Sequence, residues 1–446
     1  MILKSTFREP LEFNERFVFT IDLLENTSQN ALITGKAGTG KSTLLKYFRE
    51  HTLKNAVVLA PTGVAAVNIQ GQTIHSFFCL RPDTTPESVY DIRLRKAQKE
   101  LYKNLETIVI DEISMVRADL LDCVDNFLRA FGKNPDLPFG GVQMVFIGDL
   151  LQLPPVVSSP EESIFKSSYK SAYFFDSKVF QDLIKEKKIN FIELDKIYRQ
   201  KDDDFIQLLA HIREGKLSGE DMNLINSRVA RDFVPPDNDF FIYLTTTNRL
   251  ADEVNEKELS KLIGPKRRFS AEVSGKFDPK SYPTKEDLEL KVGAQVMMLN
   301  NDPESRWVNG TVGRVIRIAD EEDKVVVELE DGRIVDVNPH QWDMYRFYYD
   351  EELDRLQSES VGLFKQYPLR LAWAVTIHKS QGKTFSKVIV DVGWGAFACG
   401  QIYVALSRCT HFEGIILKRP IAKKDILIDA HVLRFVEEII KITNIE

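Results

Sequence analysis

Near the start of the chain, Gly35-Lys36-Ala37-Gly38-Thr39-Gly40-Lys41-Ser42 fits the pattern GxxxxGK[ST]. It directly follows the apolar run Ala31–Thr34 (ALIT) and leads into the helical run TLLKYF. Glycines at this spacing let backbone N–H groups turn inward around phosphates, and the positive helix N-terminus adds to the attraction. In that geometry Lys41 reaches the β- and γ-phosphates and Ser42 holds Mg2+. Gly35, Ala37, Gly38, Thr39, Gly40, Lys41, Ser42 and Thr43 are therefore the expected phosphate cradle. A Gly-rich turn matching by accident would need neither the strand before it nor the helix after it.

The second constellation is Asp111-Glu112, at the end of the apolar run Thr107–Ile110 (TIVI). A strand end delivers its acid to the ligand crevice of an open α/β sheet. There Asp111 suits the outer shell of Mg2+, beside the Ser42 hydroxyl, and Glu112 suits a general base for an attacking water. An apolar strand ending in Asp-Glu is on its own as easily a plain loop; following a P-loop, the functional reading prevails. The two motifs together read as a nucleoside triphosphatase and leave open what the hydrolysis drives.

These residues need a scaffold, and the rest of the chain supplies the pattern of one. In the first half the runs Ala31–Thr34, Ala56–Ala60, Thr107–Ile110 and Met144–Ile147 are bounded by Gly, Pro or Asp, with stretches between them long enough for crossover helices. Buried parallel strands look like this, so a doubly wound α/β unit is expected. A second α/β pattern begins near Phe191 (FIEL), continues in FFIYLTTTN (Phe240–Asn248) and resumes near Leu369 through KVIVDV (Lys387–Val392). Between its two parts, AQVMMLNN, TVGRVIRI, KVVVELED and RIVDV are short alternating strands separated by Gly and Asp turns, as in a small antiparallel barrel. Leu80–Asn104 breaks the first unit's rhythm with a Pro- and Thr-rich opening and then a basic run, Arg93, Arg95, Lys96, Lys99 and Lys103. The chain closes on an amphipathic helix, Ala430–Ile442.

The 446 residues suffice for about three domains. With 43% hydrophobic and 28% charged residues, the composition excludes a disordered chain, a collagen and a coiled-coil rod. No apolar run approaches the roughly 18 residues needed to cross a bilayer, so no membrane association is expected. A net charge of −7 argues against a nonspecific nucleic-acid coat, though not against one strand held in a local groove. The opening MILKSTFREPLEF has no apolar core of a secretory signal, and Cys79, Cys123, Cys399 and Cys409 form no CxxC pair. A cytoplasmic chain with free thiols is the expectation, without a zinc site or a disulfide framework.

Further segments narrow the reading. Ala60-Pro61-Thr62-Gly63-Val64-Ala65-Ala66 looks like helicase motif Ia, and Thr73-Ile74-His75-Ser76-Phe77 like the DNA-contact motif after it. Gly148-Asp149-Leu150-Leu151-Gln152-Leu153-Pro154-Pro155-Val156, preceded by Pro138-Phe139-Gly140-Gly141, looks like motif III. Tyr198-Arg199-Gln200, Ala374–Thr384 (AVTIHKSQGKT) and Tyr403–Arg408 (YVALSR) look like motifs IV, V and VI, and Asp195–Gly215 resembles a signature helix region. In this order, over nearly the whole chain, they resemble the Pif-one (petite integration frequency) DNA helicases of superfamily one, subgroup B, with the RecD-like enzymes.

The resemblance implies an α/β fold of two RecA-like P-loop motor domains, with a small wedge insertion in the first and an SH3-like β-barrel insertion in the second. The expected bounds are 1–79 and 105–190 for the first motor, 80–104 for the wedge, 191–262 and 366–446 for the second motor, and 263–365 for the barrel. ATP would lie in the cleft between the motors, and single-stranded DNA across both. The implied activity is 5′-to-3′ unwinding of tailed or forked duplex and of G-quadruplex DNA by a monomeric motor, in replication, repair, recombination or telomere-type maintenance. Arg199 and Arg408 would come from the far domain as arginine fingers when the cleft closes, and Gln152 would sense the γ-phosphate. Gln381 and Gly382 would join the nucleotide site.

Pro61, Thr62, Thr73, His75, Thr376, His378, Lys379 and Ser380 are the DNA-backbone candidates, since hydroxyls, imidazoles and N–H groups grip phosphates without reading sequence. Phe77 would stack on a base or pack in the core; for Phe78 the core is favoured. The basic run of the wedge meets a duplex junction or is a solvated helix face. At WVNGTVGRV and the Arg306 before it, Arg306, Trp307, Asn309 and Gly310 would contact DNA or a partner, with barrel core the favoured reading for Trp307. One departure stands out. The glutamine that reads adenine ahead of the P-loop in this family has no counterpart in FNERF (Phe13–Phe17), and Gln29 lies too close to Gly35. Two rival classes would share the P-loop. A kinase or switch would have no use for Arg199 or for motifs V and VI, and a subunit of a recombination nuclease would belong with partner chains.

Overall fold

The computed structural model describes residues 14–443 except 82, 158–164, 166–167, 201, 237–238, 320–323 and 394. All of MILKSTFREPLEF, including the Phe13 it shares with FNERF, and Pro82 of the wedge lie outside the described residues. Six parallel strands form the first sheet: β1 (Asn30–Gly35), β2 (Ala56–Ala60), β3 (Gln72–Thr73), β4 (Thr107–Ile110), β5 (Gln143–Ile147) and β6 (Ile189–Leu194), in the order β3-β2-β4-β5-β1-β6. β4 and β5 are buried along their whole length, as a parallel sheet covered by helices on both faces requires. Because β5 lies between β4 and β1, the chain leaving β5 at Gly148-Asp149 emerges between the P-loop and Asp111-Glu112.

The second parallel sheet has four strands, Ala374–Thr376, Ile242–Thr245, Val388–Asp391 and Ile415–Leu417, in that spatial order. Its core includes Leu244, Val375, Val390 and Tyr403. The two sheets are the pair of RecA-like motor units expected. FIEL, however, belongs to the first of them: β6 pairs with β1 over six residues, so the expected boundary at 190/191 cuts through a strand of the first sheet. An apolar run announces a strand and carries no information about which sheet edge receives it.

The insertion in the second unit is built from antiparallel strands. Ile334–Val337, Lys324–Leu329, Val312–Ala319, Gln295–Met298 and Leu369–Leu371 make one five-stranded sheet around Val296, Val315, Val327 and Trp307. The last of these strands lies beyond residue 365, so the expected end of the insertion is too early. A long hairpin, His340–Asp350 with Arg355–Gln366, stands apart from this sheet and pairs instead with Glu272–Gly275. The hairpin reaches the first unit: Phe347 N–H donates to Gln72 Oε1 (3.3 Å) and Leu356 N–H to Asn55 Oδ1 (2.9 Å).

In the wedge segment the helix Lys96–Asn104 buries Leu101 and Tyr102 in the first unit's core. Arg93, Arg95, Lys96, Lys99 and Lys103 all face solvent. The closing helix, Ala430–Thr443, was expected in the second motor and instead returns to the first. Val432, Phe435 and Ile439 join that unit's core, Phe435 stacks on Phe175 at 4.0 Å, and His431 Nε2 meets Asp176 Oδ2 at 2.6 Å. Its apolar stripe is matched by the aromatic segment Phe174, Phe175 and Phe180, a partner that periodicity alone does not identify.

Truncating Phe435 to Ala removes this buried ring. The expected loss is about 3–5 kcal/mol of unfolding free energy, seen as a lower urea midpoint at unchanged slope. A loss well under 1 kcal/mol would mean the helix is not part of that core.

Candidate nucleotide site and nucleic-acid interface

β1 runs directly into the P-loop, and the helix Lys41–His51 starts at its end. Gly38 and Gly40 have φ of +83° and +88°, which only glycine adopts without strain, and a Cβ on Gly38 would come within 2.6 Å of Arg199 Cβ. The loop lines a cavity of about 450 Å3 whose walls also include Ser42, Thr43, Asp111, Glu112, Asp149, Gln152, Arg199, Gly382 and Arg408. Residues separated by hundreds of positions in sequence thus converge on one cleft. Gln381 joins them through its amide, and Gly35 through its carbonyl. Ser42 and Asp111, the candidate Mg2+ ligands, both line this cavity.

Lys41 Nζ donates to the carbonyls of Gly35 (2.6 Å) and Lys36 (2.9 Å). Burial lowers its pKa, opposed by the charges of Asp149 and Glu112. Glu112 sits at φ 51°, a left-handed conformation that costs about 1–3 kcal/mol in a non-glycine residue. Its carboxyl is pushed up to about 7, by burial first and then by neighbouring Asp111. Gln381 Nε2 donates to Glu112 Oε2 (3.0 Å) and to Gln152 Oε1 (2.9 Å), so motif V of the second unit touches both the expected base and the expected sensor of the first.

Arg408 is only 1% exposed, yet among the described residues its hydrogen bonds go to neutral groups: the Val404 carbonyl (2.9 Å), the Lys383 carbonyl (3.3 Å) and Ser407 Oγ (2.8 Å). Burial, then the charge of Arg199, pushes its pKa down to about 9. Arg199 donates to the Ser407 carbonyl (3.2 Å), and Tyr198 N–H donates to the Gly38 carbonyl (2.9 Å). The expectation that Arg199 arrives from the far domain therefore fails. Arg199 follows β6 of the first sheet and is already seated on the P-loop, whereas Arg408 does come from the second unit.

Sequence reasoning missed the group at the centre of the cleft. Asp149, fully buried, accepts from Arg213 Nη2 (3.0 Å), Gln152 Nε2 (3.0 Å) and the Tyr403 hydroxyl (3.3 Å). The same hydroxyl accepts the N–H of Ala37 in the P-loop (2.9 Å). Burial would raise the pKa of Asp149, but Arg213 and Lys41 together hold it below the usual range. All three residues lie in segments that carried the resemblance. Their signal was a charge or hydroxyl inside an apolar motif, with partners too distant in sequence to pair by inspection.

On the nucleic-acid side, Pro61, Thr62, Thr73 and His75 cluster at the ends of β2 and β3, and Thr376, His378 and Lys379 at the end of Ala374–Thr376 in the other sheet. The Thr62 and Thr73 hydroxyls cap short helices by accepting from Ala65 and Ser76 N–H. Burial lowers the pKa of both His75 and His378. Two candidates fail. Phe77 is 3% exposed and packs edge-to-face on Phe78 and Tyr102, so it is core and offers no ring to a base. Ser380 is fully buried with its hydroxyl donating to the Ile377 carbonyl (2.7 Å). Trp307 takes the core reading, with Nε1 donating to Asn300 Oδ1 (3.0 Å). Asn14 and Phe17, from FNERF, line the same cavity as the P-loop.

Replacing Arg213 with Ala leaves Asp149 charged and buried without its main partner. Such a change costs about 3–5 kcal/mol, and Asp149→Asn in the same chain should recover part of it. Thermal melting of the single and double variants is the measurement; an unchanged melting temperature in Arg213→Ala would remove this pair from the account of stability.

A family model described as PIF1-like helicase matches residues 14–223. An ATP-dependent DNA helicase Pif1 of Campylobacter jejuni is 33% identical over 414 residues, covering 86% of this chain and 87% of that one. Bacteroides sp Pif1 in complex with ADP-AlF4 superposes with a TM-score of 0.87 at 34% identity, over 97% of this chain and 98% of that one. Bacteroides Pif1 bound to ssDNA superposes at 0.68, at 35% identity over the same shares. Similarity of this extent, over most of both chains, establishes that the chain belongs to the PIF1-like helicase family.

Proposed function

We propose that the chain is an ATP-driven motor that moves 5′ to 3′ along single-stranded DNA and unwinds tailed or forked duplexes. One observation carries the reading. Arg408, buried beside Arg199 and opposite the P-loop, has no carboxylate hydrogen-bond partner among the described residues, and the Lys383 carbonyl it bonds belongs to the same motif V segment as Gln381, which bonds Glu112. A buried guanidinium held only by neutral groups is the state from which it meets the negative charge developing on a γ-phosphate.

In this reading the phosphates draw Lys41 off the Gly35 and Lys36 carbonyls, and the P-loop N–H groups take the remaining oxygens. Ser42 and Asp111 would hold Mg2+, which would supply positive charge against the phosphates. Glu112 accepts a proton from the attacking water. Asn14 and Phe17 stand at the expected adenine side, without the amide length of a glutamine. Pro61, Thr62, Thr73, His75, Thr376, His378 and Lys379 hold the DNA backbone. A Cβ on Gly63 would meet Ser281 Oγ at 1.9 Å, so the insertion lies against motif Ia beside the exposed Thr62. G-quadruplexes are a further substrate that the family likeness favours.

The deciding experiment compares 5′-tailed with 3′-tailed duplexes in the presence of ATP. Unwinding of the 5′-tailed substrate alone, with ATP turnover rising strongly on adding single-stranded DNA, is the expected result. Equal turnover with and without DNA would point to a switch or kinase instead.

Arg408→Ala should cut DNA-stimulated turnover by roughly 10³-fold, the scale of a lost arginine finger, with DNA affinity nearly intact. His378→Ala should do the converse, weakening DNA affinity with little change in DNA-free turnover. ATPase rates, fluorescence anisotropy and melting temperatures, measured together, separate these outcomes. Joint loss of both activities with a lower melting temperature would return the residue to the scaffold.

A further inference from the structure

The WVNGTVGRV turn of the insertion is braced from within. The Trp307 indole donates to Asn300 Oδ1 (3.0 Å), Asn309 N–H to Asn301 Oδ1 (2.9 Å) and Gly310 N–H to the Met298 carbonyl (2.9 Å). Two positions of this rigid turn meet one residue of the second motor. Lys383 Nζ donates to Asn309 Oδ1 at 2.6 Å. A Cβ on Gly310, at φ +101°, would come within 3.3 Å of Lys383 Cβ, so glycine here permits both the turn and the close approach.

Lys383 belongs to motif V, and its backbone serves the nucleotide cleft. Its carbonyl accepts from Arg408 Nη1 (3.3 Å). Gln381, two residues earlier, donates to Glu112 and Gln152, and Phe385, two residues later, donates its N–H to the Arg408 carbonyl (2.9 Å). The stretch between these fixed points has little packing. Gly382 is at φ +76°, with open space where a Cβ would stand. Gly382 and Thr384 line the nucleotide cavity and also a second cavity, of about 590 Å3, against the insertion. The turn is held by the Lys383 N–H on the Ser380 carbonyl (3.0 Å) and by the Lys383 ammonium on Asn309. The first bond is internal to the motif; the second anchors it to the insertion.

We propose that Lys383 is a positioning residue for ATP hydrolysis: through Asn309 it ties the motif V turn to the insertion, and so fixes the carbonyl that keeps Arg408 aimed into the cleft. The tie rests on the arginine-finger reading above. A guanidinium that meets charge in the transition state works by being aimed beforehand, and a carbonyl on a loose glycine turn cannot aim it. The insertion thereby becomes part of the hydrolytic apparatus, and a movement of its turn reaches Arg408 through one side chain.

The test is steady-state ATPase at saturating oligo-dT, with oligo-dT anisotropy and melting temperature, on the full chain of wild type, K383M, N309A, the double variant, N309D and R408A. K383M keeps the stem and drops the ammonium, whereas N309D keeps an oxygen acceptor for it. K383M and N309A should each lower kcat by roughly 10-fold, within the roughly 10²-fold that an ångström of misplacement can cost. KM for ATP, DNA affinity and melting temperature should stay close to wild type, since the lost aim matters in the transition state. The double variant should be no slower than the slower single, because both remove one bond. N309D should stay near the wild-type rate. Should K383M not fold, N309A against N309D decides. With R408A slow, any of three results overturns the tie alone: wild-type kcat in N309A and K383M, multiplied losses in the double variant, or weaker DNA binding at normal kcat. R408A at the wild-type rate overturns the finger reading itself.

Discussion

The buried carboxylate of Asp149 is the point on which the cleft depends. It leaves β5 between the two halves of the nucleotide site, and water does not reach it. An isolated charge there would be prohibitively unfavourable, so its partners must come to it. Arg213 and Tyr403 arrive from the second motor, and Gln152 folds back from its own loop. Through Tyr403 the same cluster holds the N–H of Ala37, and through Gln152 and Gln381 it extends to Glu112. The facing of the two motors and the geometry of the catalytic residues therefore have one electrostatic origin.

Around that pair the charges are arranged with a deficit of acids. Lys41, Arg199 and Arg408 all point into the cavity, and burial lowers the pKa of each. The candidate base, Glu112, is itself raised toward neutrality. A polyphosphate entering such a cavity meets donors that have exchanged water for carbonyls and gained little by it. The strain on these cations is relieved when the anion binds, so affinity and catalytic electrostatics come from the same preorganisation.

The strands ALIT, AVVLA, TIVI and MVFI were legible because each is a short apolar run that a parallel sheet buries on both faces, and the P-loop and Asp111-Glu112 were legible because their chemistry is local. What escaped depends on partners. FIEL reads equally as the last strand of one sheet or the first of another, and only pairing with β1 decides it. Phe77 lies in a motif that resembles a DNA contact, yet its ring turns toward Phe78 and Tyr102, the latter donated by the wedge helix. Ser380 sits among the DNA-backbone candidates, but the tight turn at His378–Ser380 points its hydroxyl back to the chain. Asp149, Arg213 and Tyr403 were each in view without any sign that they meet.

The return of the closing helix to the first motor has a mechanical consequence. The polypeptide passes from first unit to second after β6, and back again before Ala430. Two bodies joined at a single strand can twist and slide in every direction. Joined at two separated points, they keep one easy freedom, rotation about the line through both. The path of the chain thus supplies an axle, and any swing of the second motor toward the P-loop would follow the same arc on every cycle, carrying Arg408 with it.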